Sequence, residues 1–176
     1  MPVRPIEVLW CASSRRQHHI PRTPVRVCSD LIQPASSVRD VGIYLNAYAS
    51  TRTHASRTVS NCFAVLRQIR SIRRSLTRPV LQSLVVTFVM PRLNYGNATL
   101  AGLPDNQLSR LQSMLNAAAR LVFSARKQEA VSPLLHDLHW LRVPQRIDFK
   151  LAVLTYRCLH STAPPYLADE LHSVGT

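Results

Sequence analysis

The spacing of apolar residues changes once along the chain, near residue 50. Before that point they come in short, largely β-branched clusters: Val8 to Trp10, Val25 to Val27, Leu31 to Ile32, and Val41 to Leu45. Pro21, Pro24 and Pro34 divide these clusters, and Ser13-Ser14 and Ser36-Ser37 lie in the connections. Strands so short and so few cannot close a sheet of their own. Residues 1–48 therefore predict an incomplete antiparallel β segment, the edge of something larger.

From about Thr51 the period becomes 3.6, and four or five helices are expected. The first is expected from about His54 to Leu76, with Val59, Cys62, Phe63, Leu66, Ile69, Ile72 and Leu76 as its apolar stripe. A second should start at Pro79. Val80, Leu81, Leu84, Val85, Phe88 and Val89 leave it almost no polar face, so it is expected at the centre of a bundle, and Pro91 should stop or kink it. After a turn at Gly102-Leu103-Pro104-Asp105, a third helix spaces Leu108, Leu111, Leu115, Ala118 and Val122 along one face. A short segment follows, Val131 to Leu141. A last long helix opens at Pro144, carries Ile147, Leu151, Leu154 and Cys158 on one side, and ends before Pro164-Pro165. The pattern predicts an α+β fold, with a β segment at 1–48 and a mainly helical bundle at 49–176.

Charge sharpens the picture. Among 176 residues, 22 are Lys or Arg and 9 are Asp or Glu, a formal net charge of +13. Arg supplies 20 of those 22, and residues 1 to 78 hold 13 basic against 3 acidic side chains. Arg offers a planar, permanently charged fork that matches phosphate oxygens in pairs, so nucleic acid is the first partner such a field implies. The segment from Arg52 to Arg78 carries seven Arg and no acid. On one continuous helix, Arg67, Arg70, Arg74 and Arg78 would fall within roughly an 80° arc, with Arg73 nearby, as a positive ridge. A helix face that is merely solvated usually mixes Glu with Arg to gain i,i+4 pairs, and this one does not. The five arginines are the candidate nucleic-acid-binding residues; a basic surface without a partner is the alternative.

Other chemistry is poorly served. The nine carboxylates are scattered, and only Asp169-Glu170 adjoin, so no two-metal site is legible. Cys11, His18, His19 and Cys28 match no common zinc spacing. Cys62 and Cys158 fall on apolar stripes as small core residues. No catalytic residue, metal or cofactor is expected. No apolar run is long enough to span a bilayer, no C-x-x-C pair occurs, and the start has no signal-peptide pattern, so an intracellular protein, cytoplasmic or nuclear, is expected.

Six motifs in a fixed order point further. They are Glu7-Val8-Leu9-Trp10, Val38-Arg39-Asp40-Val41-Gly42-Ile43-Tyr44-Leu45, and Arg92-Leu93-Asn94-Tyr95-Gly96-Asn97. Then come the run from Leu111 to Leu121 (Leu-Gln-Ser-Met-Leu-Asn-Ala-Ala-Ala-Arg-Leu), the run from Leu138 to Ile147, and Ala163-Pro164-Pro165-Tyr166-Leu167. Together they resemble the C-terminal part of the reverse transcriptase of non-LTR, LINE-type retrotransposons, particularly the jockey-like group. The resemblance implies that residues 1–48 are the trailing edge of a palm sheet and the helices a thumb. It also makes Val41, Gly42, Ile43 and Tyr44 the remnant of a hairpin that grips the primer end. A template–primer of RNA or DNA, bound without sequence preference, is then the implied partner. The family's catalytic Tyr/Phe-Ala-Asp-Asp hairpin would lie upstream of Met1, and its Lys-Thr pair falls on Pro5 and Ile6, so the chain is expected not to be an enzyme on its own. Asn94 stands where the family has an acid, Asn46 where it usually has Asp, and Pro91 enters a stretch the family keeps helical. A palm edge without neighbours is also expected to seek another chain, so self-association, a helical protein-interaction module, or an open reading frame without biochemical function forms the alternative reading.

Overall fold

The computed structural model describes residues 6–172. The fold is α+β: short antiparallel hairpins followed by a run of helices. Two compact units divide the chain, one through Asn61 and one from Cys62.

The first unit contains two separate two-stranded sheets. Strand β1 (Val25–Val27) pairs antiparallel with β2 (Asp30–Ile32), Arg26 opposite Leu31. Strand β3 (Ser37–Asp40) pairs with β4 (Ile43–Asn46), Asp40 opposite Ile43 and Ser37 opposite Asn46. Val41 and Gly42 join the second pair at φ 42° and 82°. Two consecutive positive φ values characterise the tight turn whose twist suits a hairpin. Glycine takes that conformation freely, whereas β-branched Val41 is strained in it. Asn46 then organises the exit: its Oδ1 accepts from the Tyr48 N–H (3.0 Å), the Ser50 N–H (3.1 Å) and the Ser50 hydroxyl (3.1 Å). An aspartate could accept all three as well, so Asn46 serves this turn as an uncharged acceptor.

Two expectations for this region are corrected. Val8 to Trp10 is not a strand; the Val8 carbonyl accepts a bond from the Ala35 N–H at 2.8 Å, and no ladder of pairs continues from it. Ser37, read with Ser36 as part of a connection, instead opens strand β3, because pairing with β4 outweighs the turn preference of a single serine.

Helix α1 (Arg52–Ile72) begins in the first unit and ends in the second. Its residues Val59, Cys62, Leu66 and Ile69 are buried at three- and four-residue steps. It stops four residues before the expected Leu76 and passes into a 3-10 turn, Arg73–Ser75. Leu76 and Thr77 are extended, with ψ of 144° and 158°. The cause is Pro79, which has no N–H to continue the ladder and whose ring would press on the preceding turn, so the chain must break and restart.

Helix α2 (Arg78–Phe88) carries that proline in its first turn, where the N–H has no intrahelical partner in any case. The same device recurs: Pro91 in α3 (Met90–Asn94), Pro133 in α5 (Ser132–Asp137), Pro144 in α6 (Val143–Leu159) and Pro165 in α7 (Pro165–Ala168). Pro104 directly precedes α4 (Asp105–Phe123). Pro91 thus opens a new helix after a kink at Val89, and the roughly 3 kcal/mol penalty of an interior proline is avoided.

Helix α4 is the hub of the second unit, packed against α2, α5 and α6. Leu111, Met114, Leu115, Ala118 and Ala119 are fully buried on it. Gln112 ties it to α6, accepting the Val143 N–H at 2.8 Å while its amide donates to Asn116 Oδ1 at 2.7 Å. The bond supplies a partner for an N–H at the start of α6 that the helix itself cannot satisfy. Helix α2 does not sit at the centre, contrary to expectation. Leu81 and Val85 are buried, but Val80, Val86 and Phe88 are exposed, because α2 packs through one face on α3 and α4. Within the described residues, no helix is long and apolar enough to cross a membrane.

Candidate nucleic-acid interface

The break after α1 redistributes the arginines. A single ridge on one helix, expected from the sequence, is not what forms: Arg67 and Arg70 lie on α1, Arg73 and Arg74 on the 3-10 turn, and Arg78 at the start of α2. Three of them are brought together. Arg67, Arg70 and Arg73 form one wall of an open cleft of about 500 Å³ in the second unit.

The opposite wall comes from α4 and the turn after it. Helix α4 ends with Ser124 in the left-handed region (φ 56°); the Ser124 N–H bonds to the Leu121 carbonyl at 3.3 Å and the Ala125 N–H to the Arg120 carbonyl at 3.0 Å. This paired C-terminal motif turns the chain sharply back. Glu129 then closes the next turn, its Oε1 accepting the Arg126 N–H at 2.6 Å. Lys127 is thereby set on the cleft, beside Arg120, Ser113, Asn116 and Ala117 from the outer face of α4. The Arg120 guanidinium donates through Nη2 to the Glu129 carbonyl at 3.2 Å, and its buried Nε has no hydrogen-bond partner among the described residues.

Phe63, Leu66, Leu121 and Ala125 give the cleft an apolar floor. Five cations surround it and no carboxylate lines it. Opposite charges that could neutralise the rim are absent from it, so its potential is positive and directed into a concave, partly low-dielectric space, which attracts anions.

Arg74 and Arg78 lie outside the cleft. The Arg78 guanidinium sits 3.7 Å from the centre of the Phe123 ring, a cation–π contact that fixes the start of α2 to the end of α4. Arg146, half-buried on α6, ties that helix to α3: Nε donates to the Leu141 carbonyl at 2.8 Å and Nη1 to Asn94 Oδ1 at 3.0 Å, and its partial burial pushes its guanidinium down from the ordinary arginine value.

The hairpin residues belong to the first unit. Val41 is 77% exposed at the tip beside Gly42, and Ile43 and Tyr44 are half-buried in β4. The Arg57 guanidinium lies 4.1 Å from the Tyr44 ring centre, with Arg39 at 5.6 Å, and the His54 ring stacks at 6.5 Å. Tyr44 therefore anchors cations as well as strand.

Cys62 is fully buried and its thiol lies 4.0 Å from the Val89 carbonyl. Burial pushes the thiol up to about 11, with a small opposing pull from Arg92. Among the described residues no group of three His, Cys, Asp or Glu side chains is placed to hold a metal ion.

Arg120 and Lys127 were missed from sequence. Ser113, Ala117 and Arg120 recur at four and three residues, opposite the Leu111, Leu115 and Ala118 stripe, which is the pattern of a small-residue face ending in a cation. No family model matches this chain, and no curated protein or solved structure does either.

Proposed function

We propose that this protein holds nucleic acid by its phosphates, without reading sequence, as a thumb-like fragment similar to that of LINE-type reverse transcriptases. The observation that carries the reading is the convergence of Arg67, Arg70, Arg73, Arg120 and Lys127 on one cleft that no acid lines. Phosphate contacts of this kind position a strand and leave its sequence unread. On the resemblance, the metal-bound aspartates of the polymerase are not among these residues, so the chain would supply the hold and not the phosphoryl transfer. It would act where nucleic acid is handled, in the cytoplasm or nucleus.

Each phosphate neutralised should contribute about −0.7 (single strand) to −0.9 (duplex) to the slope of log affinity on log salt. Replacing Arg67, Arg70 and Arg73 together by Gln should make that slope shallower by about 2 to 3. A slope that does not change refutes the assignment, and primer extension by the purified chain refutes its non-catalytic part.

A second reading is favoured by the aromatic side of α6 and α7. Phe149 and Tyr156 are each 62% exposed, Leu159 72% and Tyr166 68%. Such a face suits a protein partner or a second copy of the chain, as do the open edges of the two hairpin sheets. Association that persists at high salt with no nucleic acid present would favour it.

A further inference from the structure

We infer that the cleft between α1 and α4 takes an unpaired nucleotide, so that the preferred ligand is single-stranded RNA or DNA and not a duplex. The inference rests on the nucleic-acid reading and adds to it what kind of strand is held.

The argument lies in the division between rim and floor. The rim is cationic on both sides, Arg67, Arg70 and Arg73 facing Arg120 and Lys127, so a strand entering the cleft meets phosphate partners on either hand. The floor is apolar, formed in part by Phe63, Leu66 and Leu121. A duplex presents only phosphates and groove edges to a surface, and its base faces are stacked on one another. It would touch the rim and leave the floor in water. An unpaired base brings a flat apolar face that covers the floor while its flanking phosphates stay at the rim. The volume of about 500 Å³ falls within the range that encloses one small-molecule-sized group. Charge complementarity and apolar area together therefore select a splayed nucleotide, the combination used by sequence-tolerant single-strand binders.

The test compares an oligo-U or oligo-dT strand of about twelve nucleotides with a duplex of equal length at fixed salt. Unmodified protein should bind the single strand roughly 5- to 100-fold more tightly, the worth of about one base resting on side chains. Ala117→Leu and Ser113→Leu each place a branched aliphatic group, with no flat face for a base to stack on, in the cleft from the half-exposed or exposed face of α4 and leave every cation in place. Each should reduce single-strand binding toward the duplex level, while circular dichroism and thermal unfolding report that the helices persist. Equal affinity for strand and duplex in the unmodified protein, or a preference that survives in both folded Leu variants, overturns the inference and leaves phosphate binding standing. Failure to bind either ligand overturns the parent reading as well.

Discussion

Asn94→Asp places a carboxylate where Asn94 Oδ1 now accepts a 3.0 Å hydrogen bond from Arg146 Nη1. The guanidinium is already fixed by its second bond, Nε to the Leu141 carbonyl. Little side-chain entropy remains to be lost on the arginine. The bond is already charge-assisted through the guanidinium, and an ionised acceptor adds the attraction of an ion pair. Asn94 is exposed, so solvent screening limits that gain to about 0.5–1 kcal/mol. For a chain of this size that corresponds to a rise of roughly 1–4 °C in melting temperature. Arg146 should hold the new carboxyl below the usual value of about 3.9. Its contribution is then complete above that value and is lost as the pH falls through the depressed one. Thermal unfolding by circular dichroism should show the gain at pH 7 and none near about pH 2. Repeating the substitution in an Arg146→Gln background should show no gain at either pH. A gain that is the same in both backgrounds, or that persists in acid, refutes the pairing.

Two further outcomes follow from local chemistry. Val41→Asn creates an Asn-Gly pair at φ values of 42° and 82°; relief of the strained valine should stabilise the hairpin by about 1 kcal/mol, read as a higher melting temperature, and a fall would show that the valine side chain matters more than its backbone. A thiol reagent at neutral pH should label exposed Cys11 and Cys28 and spare Cys62 until denaturant is added. Because burial raises the Cys62 thiol from 9.0 to about 11, its contribution to stability is complete below pH 9.0 and declines toward about pH 11, so denaturant midpoints should fall across that interval in the unmodified protein and less in Cys62→Ala.

Helix content was legible because the apolar stripes are regular. The stripe of α4 from Leu111 to Val122 is buried as its spacing indicates, and Pro144 stands in the first turn of α6. What did not show was how many sides of a helix find a neighbour. The sequence of α2 leaves hardly any polar face, yet Val80, Val86 and Phe88 remain exposed, since periodicity carries no information about how many elements surround a helix. The residues of Ser37–Asp40 carry the β signal weakly and the strand exists by virtue of its partner; the motif from Val38 to Leu45 marked the hairpin, but the apolar cluster put Val41 in a strand, whereas it stands with Gly42 in the turn. The arginine-rich segment was recognised by composition, but its geometry depended on Pro79 acting seven residues beyond the true end of α1. Lys127 joined the cleft through a left-handed serine, Ser124, a conformation that no local residue preference announces, whereas Arg120 stands on the polar face of α4 itself.

Among the described residues, five of the seven α-helices open on a proline in the first turn, and a sixth follows one directly. Their starting points are thus written into ring chemistry and not left to the packing of neighbours. A chain punctuated in this way can accumulate changes in its connecting segments without one helix creeping into the next, because each ring vetoes extension toward the N-terminus. The division into rods should therefore outlast considerable sequence drift, even where the surfaces those rods present are altered beyond comparison.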